Sequence, residues 1–304
     1  MGQARASGYP EDEVMFLYAL LSGLTLGGVY ALVAMGLTIQ YGVSRTMNLG
    51  YGEFLIGAAF AVFVMFGTFG ISPYLLSIVV VPAAFALSWL VYRVMLMPIV
   101  RRAKTPLALE IDSLLLTFGL LFAIMGIMLL AFGSNYTNYA YLSIPVPILD
   151  ATVALNRLVS FGMAMLVGVV AYTLLMHTRT GMALRAVAVD PVGARLVGID
   201  VNWAAGLAFG LGGAIAALGG ILISTYMTFT AEMGVVFTMK ALIVVIMAGV
   251  GHVVGALVAG LVLGLIEAFV SAYLDPGLTV AVIYAVFLLA LIVRPQGIFG
   301  RVAR

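Results

Sequence analysis

The chain predicts an all-α, polytopic integral membrane protein with eight to ten transmembrane segments and a broken helix near Gly249 and Gly255, and three observations carry that prediction. Of its 304 residues, 64% are hydrophobic and only 9% are charged, with a mean hydropathy of +1.21, so no soluble domain fits between the apolar stretches. Long apolar runs recur along the whole chain, joined by short polar connections. The third observation is the almost uncharged run 239–274. As one helix it would extend about 54 Å at roughly 1.5 Å per residue, against a hydrocarbon core of roughly 30 Å. Gly249, Gly251, His252 and Gly255 interrupt it. Irregular backbone at membrane depth is tolerated only where protein or a water-filled cavity shelters it. A break of this kind favours transport over anchoring.

The segments follow in order. The first, about residues 14–40, is too long for a signal-peptide core, lacks a small-residue cleavage pattern after it, and is expected to stay as a span. Segments at about 54–71 and 74–97 lead to the basic cluster Arg101, Arg102 and Lys104. Those at 113–133 and 157–176 flank a loop rich in Tyr, Asn, Ser and Pro, and lead to Arg179, Arg185 and Arg195. The loop itself, 133–154, suits either an interfacial aromatic belt or a docking surface. Segments at 203–229, 236–249, 253–273 and 278–293 end at Arg294, Arg301 and Arg304. The positive-inside rule makes all three basic clusters cytoplasmic. Two cytoplasmic loops must be separated by an even number of crossings, and only reading 239–274 as two segments satisfies this between the second and third clusters. Counting back from Arg101, three spans place the N-terminus outside, unless the polar stretch 41–53 hides a half-crossing.

Small residues recur at four-residue intervals, as in Gly23, Gly27, Ala31; Gly206, Gly210, Ala214; and Ala256, Gly260, Gly264, Ala268. Such ladders let helix backbones approach closely. They serve either tight packing or sliding during a gating motion. The likeness of the strings at 23–27 and 206–210 hints at two related halves.

The loop 177–202 carries helix punctuation. Asp190 followed by Pro191 reads as an N-cap and a first-turn proline. Val192, Leu196 and Val197 form an apolar stripe, Arg195 marks the last turn, Gly198 is placed to stop the helix in the left-handed conformation, and Asp200 caps the next span. The stripe lies either on this chain's own bundle or in a groove of a cytoplasmic partner.

Other chemistry is scarce. The chain has no Cys and two His, so disulfides and thiolate sites are excluded and little remains for a metal centre. No cofactor is expected, nucleic acid is an improbable partner, and the lysines, Lys104 and Lys240, sit in no phosphate-cradling loop. Ionisable residues in a span are functional candidates by default. Glu53, close after Asn48, and Glu267 are therefore candidates to polarise a translocation path or to orient a solute ammonium; the alternative is that each only fixes packing. Thr25, Tyr30 and Thr38 are weaker pore-lining candidates, since lone hydroxyls in membrane helices usually bond back to their own backbone. His252 reads as a side chain that steadies the break.

Several of these strings together resemble the permease subunits of branched-chain amino acid ABC importers: residues 23–36, the stretch Met47-Asn-Leu-Gly-Tyr-Gly-Glu53, residues 185–200, residues 240–267 and Arg294-Pro-Gln-Gly-Ile-Phe-Gly300. Tyr51 stands where that family commonly has His, and His252 where a small polar residue is more usual. The resemblance implies a single transmembrane permease domain over 1–304, with the coupling loop 177–202 inside it. It implies a bacterial inner-membrane importer in which this chain works with a second homologous permease, two cytoplasmic ATPases and a periplasmic solute-binding protein. It also implies that the chain is not itself an enzyme. Within it, Thr25, Tyr30, Asn48, Glu53, His252 and Glu267 are candidates for the translocation pathway, and Arg185, Asp190, Pro191, Arg195, Leu196 and Gly198 for ATPase coupling. Two rivals remain open: an ion-coupled secondary transporter using Glu53 and Glu267, and a membrane enzyme, for which no cluster of acids, bases or ligands is visible.

Overall fold

The computed structural model describes residues 11–148, 151–249, 251–294 and 297–299. The predicted Arg301 and Arg304 of the third basic cluster lie outside the described residues.

Eight helices are long and apolar enough to cross a membrane, and a shorter apolar helix joins them. Helix α1 (Glu11–Ser44) runs the full depth of the bundle. Its far end is tied to the loop that carries the second basic cluster, because the Arg45 guanidinium donates to the carbonyls of Ala188 and Val189, at 3.3 and 3.4 Å. Helix α2 (Tyr51–Phe69) starts inside the bundle rather than at its surface. The Tyr51 hydroxyl donates to the Val33 carbonyl at 2.8 Å, and Val33 lies about 16 Å back along α1 from Ser44 at roughly 1.5 Å per residue. Residues 45–50 therefore re-enter the bundle. This is the half-crossing left open by the polar stretch, and α2 begins three residues before the predicted boundary.

Helix α3 (Pro73–Val91) continues through a π-helical turn (Tyr92–Leu96) into α4 (Met97–Arg102), which delivers the first basic cluster. Helix α5 (Pro106–Phe132) is capped by the Thr105 hydroxyl, which accepts from the Ala108 N–H at 3.1 Å. The outer loop contains a short antiparallel hairpin, β1 (Pro145–Ile148) with β2 (Ala151–Ala154), which the sequence reading left as loop. Thr137 in the same loop bridges Phe229, and this pairing ends α9 at Ser224, earlier than the predicted boundary at 229. Tyr139 and Tyr141 turn inward, the first bonding Ser224 at 2.7 Å and the second Ser72 at 2.8 Å, whereas Tyr136 is 78% exposed. Only Tyr136 of the three is thus free to serve a belt or docking face.

Helix α6 (Leu155–His177) returns to the end of the bundle that carries the basic clusters, where α7 (Arg179–Val189) and α8 (Pro191–Leu196) form the polar foot. Helix α9 (Val201–Ser224) is the buried centre of the bundle. Then come α10 (Met233–Ala248), α11 (Val253–Tyr273), a single 3-10 turn (Pro276–Leu278) and α12 (Thr279–Val293). With 16 residues, α10 reaches about 24 Å, short of a full crossing.

The small-residue ladders explain the packing. Gly27 lies against Gly260 and Leu261, Gly264 against Gly27, and Gly260 against Ala31, so any side chain at these glycines would strike the facing backbone. The α1 ladder therefore meets the α11 ladder directly, which is how small residues substitute for a hydrophobic driving force in lipid. Gly206 and Gly210 do a different job: they admit Trp89, Tyr92 and Phe85 of α3 and its π-helical turn.

The break between α10 and α11 is confirmed. Gly249 and Gly251 take φ of 92° and 84°, a region open to glycine and costly for other residues. The carbonyls that α10 leaves unpaired at its end are capped by the chain beyond α12: Ile298 N–H donates to Met247 at 2.7 Å and Phe299 N–H to Ala248 at 3.2 Å.

Candidate functional site

The candidate residues fall into three places. The first is a cleft of about 430 Å³ at the outer end of the bundle, between α1, α10, α11 and α12. Thr25, Glu267 and Lys240 line it, and Tyr30 touches it through Lys240. The Lys240 ammonium donates to both Glu267 oxygens, at 2.8 and 2.9 Å, and to the Tyr30 hydroxyl at 2.7 Å. It also lies 4.8 Å from the centre of the Tyr30 ring. At side-chain exposures of 15% and 16%, the Lys240–Glu267 pair is largely desolvated. A buried charge persists when paired and hydrogen-bonded, and this pair meets both conditions. Arg157, at the start of α6, faces the same cleft; its guanidinium donates to the Ser22 hydroxyl at 3.0 Å and sits 5.7 Å from the centre of the Tyr226 ring. Thr25 donates back to the Ser22 carbonyl at 2.9 Å, and Thr38, elsewhere on α1, to Ala34 at 2.8 Å.

Sequence reasoning missed Lys240 and Arg157 as partners in this cleft. A lysine inside an otherwise uncharged run that also holds a glutamate was the available signal for the first. For Arg157 there was only its place at the mouth of a span.

The second place is the buried start of α2. Asn48 and Glu53 are each 1% exposed, and none of their side-chain polar atoms has a hydrogen-bond partner among the described residues. The amide of Gln40 on α1 is in the same condition. The Glu53 carboxyl packs directly on Gly234, and Gly52 packs on the Gly234 carbonyl while its N–H donates to the Thr238 hydroxyl at 2.8 Å. Leu49 is held by the Thr117 hydroxyl at 3.2 Å. Helix α10 thus touches both places. Thr238 faces α2, and Lys240, two residues on and about 200° around the helix, faces Glu267.

The third place is the polar foot formed by α7 and α8. Asp190 caps α8 by accepting from the Val192 N–H at 2.9 Å, Pro191 occupies the first turn, and Gly198 takes φ of 84°. Leu196 is 85% and Val197 75% exposed, so the apolar stripe does not lie on this chain's own bundle. Arg185, exposed on α7, donates to the Met176 carbonyl at 3.1 Å, and Arg195 lines a vestibule of about 900 Å³ with Arg45, Lys104, Glu110 and His252. His252 sits at the start of α11, and fifteen residues of helix, about 22 Å, separate it from Glu267. The structure therefore brings Thr25, Tyr30 and Glu267 together and Asn48 and Glu53 together, and leaves His252 apart from both. Among the described residues, no three of His, Asp and Glu gather as a metal site would require.

The family model for the permease component of branched-chain amino acid transport systems matches residues 19–291. The high-affinity branched-chain amino acid transport system permease protein LivH of Escherichia coli K12 is 30% identical over 96% of this chain and 97% of its own length. The corresponding permease protein BraD of Pseudomonas aeruginosa is 29% identical over 94% of this chain and 96% of its own. A probable LivH permease of the archaeon Methanocaldococcus jannaschii is 26% identical over 77% of this chain and 74% of its own. No solved structure gives a significant match.

Proposed function

The chain belongs to the family of branched-chain amino acid transport permease components, and from that premise we propose that it forms half of the membrane pathway of a binding-protein-dependent ABC importer for branched-chain amino acids. Its partners are a second homologous permease, two cytoplasmic ATPases and a periplasmic solute-binding protein, assembled in a bacterial inner membrane. The chain is one permease domain that performs no catalysis; the loop 177–202 is its coupling element. ATP binding closes the ATPase pair, which pushes on Arg185, Asp190, Pro191, Arg195, Leu196 and Gly198, and the bundle tilts between outward-open and inward-open states. Solute moves past Thr25, Tyr30 and Glu267, then past Asn48 and Glu53, and leaves through the vestibule beside His252.

The observation that carries this reading is the uncovered stripe of α8. A capped helix showing Leu196 and Val197 to the cytoplasmic side is what a helix-in-groove contact requires. Asp190→Ala combined with Leu196→Asp removes the cap and the anchor together. In the importer reconstituted with its solute-binding protein, this variant is expected to hydrolyse ATP without moving leucine, while its membrane helices stay folded. Wild-type uptake by the double variant would remove the coupling assignment. Ion-driven uptake by the purified chain alone would favour the secondary-transporter reading.

A further inference from the structure

The outer cleft carries a charge imbalance. Two cations, Arg157 and Lys240, line it, and Glu267 is the acid among its lining residues, already held by Lys240 through both oxygens. Arg157 has only a hydroxyl and an aromatic face, and no ion pair to it forms among the described residues. The Tyr226 hydroxyl beside it is buried with no hydrogen-bond partner among the described residues. Burial pushes the Tyr226 phenol well above its ordinary range, with the Arg157 guanidinium opposing that rise and Glu267 adding to it, so both charges act on one point of the cleft. A surface with this charge does not face lipid, where ionisable side chains turn to the bundle interior or to water. One wall is small and apolar, with Ala19, Ala268 and Ala272. At about 430 Å³ the cleft falls within the range of small-molecule sites, roughly 300–1,000 Å³.

We propose that this cleft binds an aliphatic α-amino acid by exchange of counter-ions: the solute carboxylate takes Arg157, and the solute ammonium displaces Lys240 from Glu267. The alanine wall receives the side chain. Lys240 is then a resident substitute for the ammonium group. It keeps Glu267 paired while the cleft is empty and swings to the Tyr30 hydroxyl and ring when solute arrives, contacts it already makes. A guanidinium matches a carboxylate in bidentate geometry, which explains why an arginine and not a second lysine stands at the unpaired position. The site rests on the importer reading and deepens it, by naming what each charge recognises.

The test uses the complete importer in proteoliposomes, with ATP-driven leucine uptake measured beside photo-crosslinking by a diazirine analogue of leucine. Crosslinks are expected on the alanine wall. Leucine should displace the probe at concentrations about tenfold lower than leucinamide or leucine N-methylamide, which lack the carboxylate, because each of these analogues leaves Arg157 unmatched. This competition series needs no variant. Arg157→Gln should lose the crosslink and Arg157→Lys keep part of it, while Lys240→Met should strengthen it severalfold because the ammonium no longer has a rival. Active uptake with crosslinks outside the cleft, with equal competition by the one-charge analogues, or with Lys240→Met losing the crosslink would overturn the proposal. So would displacement of the probe by anionic lipid and not by leucine, since that would assign Arg157 to a headgroup. Absence of ATP-driven uptake by the wild-type importer would count instead against the importer reading.

Discussion

Two carboxylates sit at membrane depth in this protein and live under opposite conditions. Glu267 opens onto a cleft and is held by an ammonium on the facing helix; Glu53 is packed against a glycine and has no hydrogen-bond partner among the described residues. The first is a finished interaction in the conformation described. The second is unfinished, and a buried polar group left unsatisfied is costly unless another arrangement satisfies it. The difference separates a pair that is satisfied from a carboxyl that is not, within one conformation. Helix α10 joins the two, so movement of α10 against α2 is felt by Lys240 as well.

Substitutions sharpen this contrast. The largest effect belongs to the paired site. Lys240→Met or Glu267→Met alone leaves one charge buried, at a cost of about 3–5 kcal/mol, whereas replacing both together should recover most of that loss. Thermal unfolding of the detergent-purified importer, followed by size exclusion, reads this as a deep fall for each single variant and a near-wild-type midpoint for the double. A fall in the double variant equal to the sum of the two single falls would show that the pair is not coupled. Next comes the seam: Gly234→Ala puts a methyl group into the space of the Glu53 carboxyl, and overpacking of this kind costs about 1–3 kcal/mol. Uptake should fall along with the unfolding midpoint, and adding Glu53→Ala should rescue the midpoint, though not the uptake, if the clash is the cause. The smallest stability effect is expected for Glu53→Gln, below about 1 kcal/mol, because no hydrogen bond is lost. Its uptake should nevertheless drop. An unchanged transport rate in that variant would make Glu53 a packing residue and erase the contrast.

Much of this was legible in the sequence, for physical reasons that can be named. The break at Gly249 and Gly251 showed itself through excess length and parity, because a bilayer is a ruler and a charge rule at once. Helix α8 showed itself through Asp190, Pro191 and Gly198, whose backbone preferences act locally. The partnership of Lys240 with Glu267 was not legible, since it depends on how α10 and α11 face each other across the break. The re-entry before α2 was only half visible: residues 41–53 were polar enough to raise suspicion, but the hydroxyls of Thr117 and Thr238 that hold Leu49 and Gly52 come from distant helices. The hairpin was hidden by Pro145 and Pro147, which read as loop residues.

The strap of Ile298 and Phe299 across the end of α10 has a consequence for biogenesis. These residues leave the ribosome after α12, yet they supply donors to the carbonyls of Met247 and Ala248 at the end of α10. A chain truncated just past α12 would insert all its helices and still expose raw carbonyl oxygens at the heart of the bundle. The firmness of the element that links both carboxylates is thereby tied to a stretch of chain well beyond it in sequence.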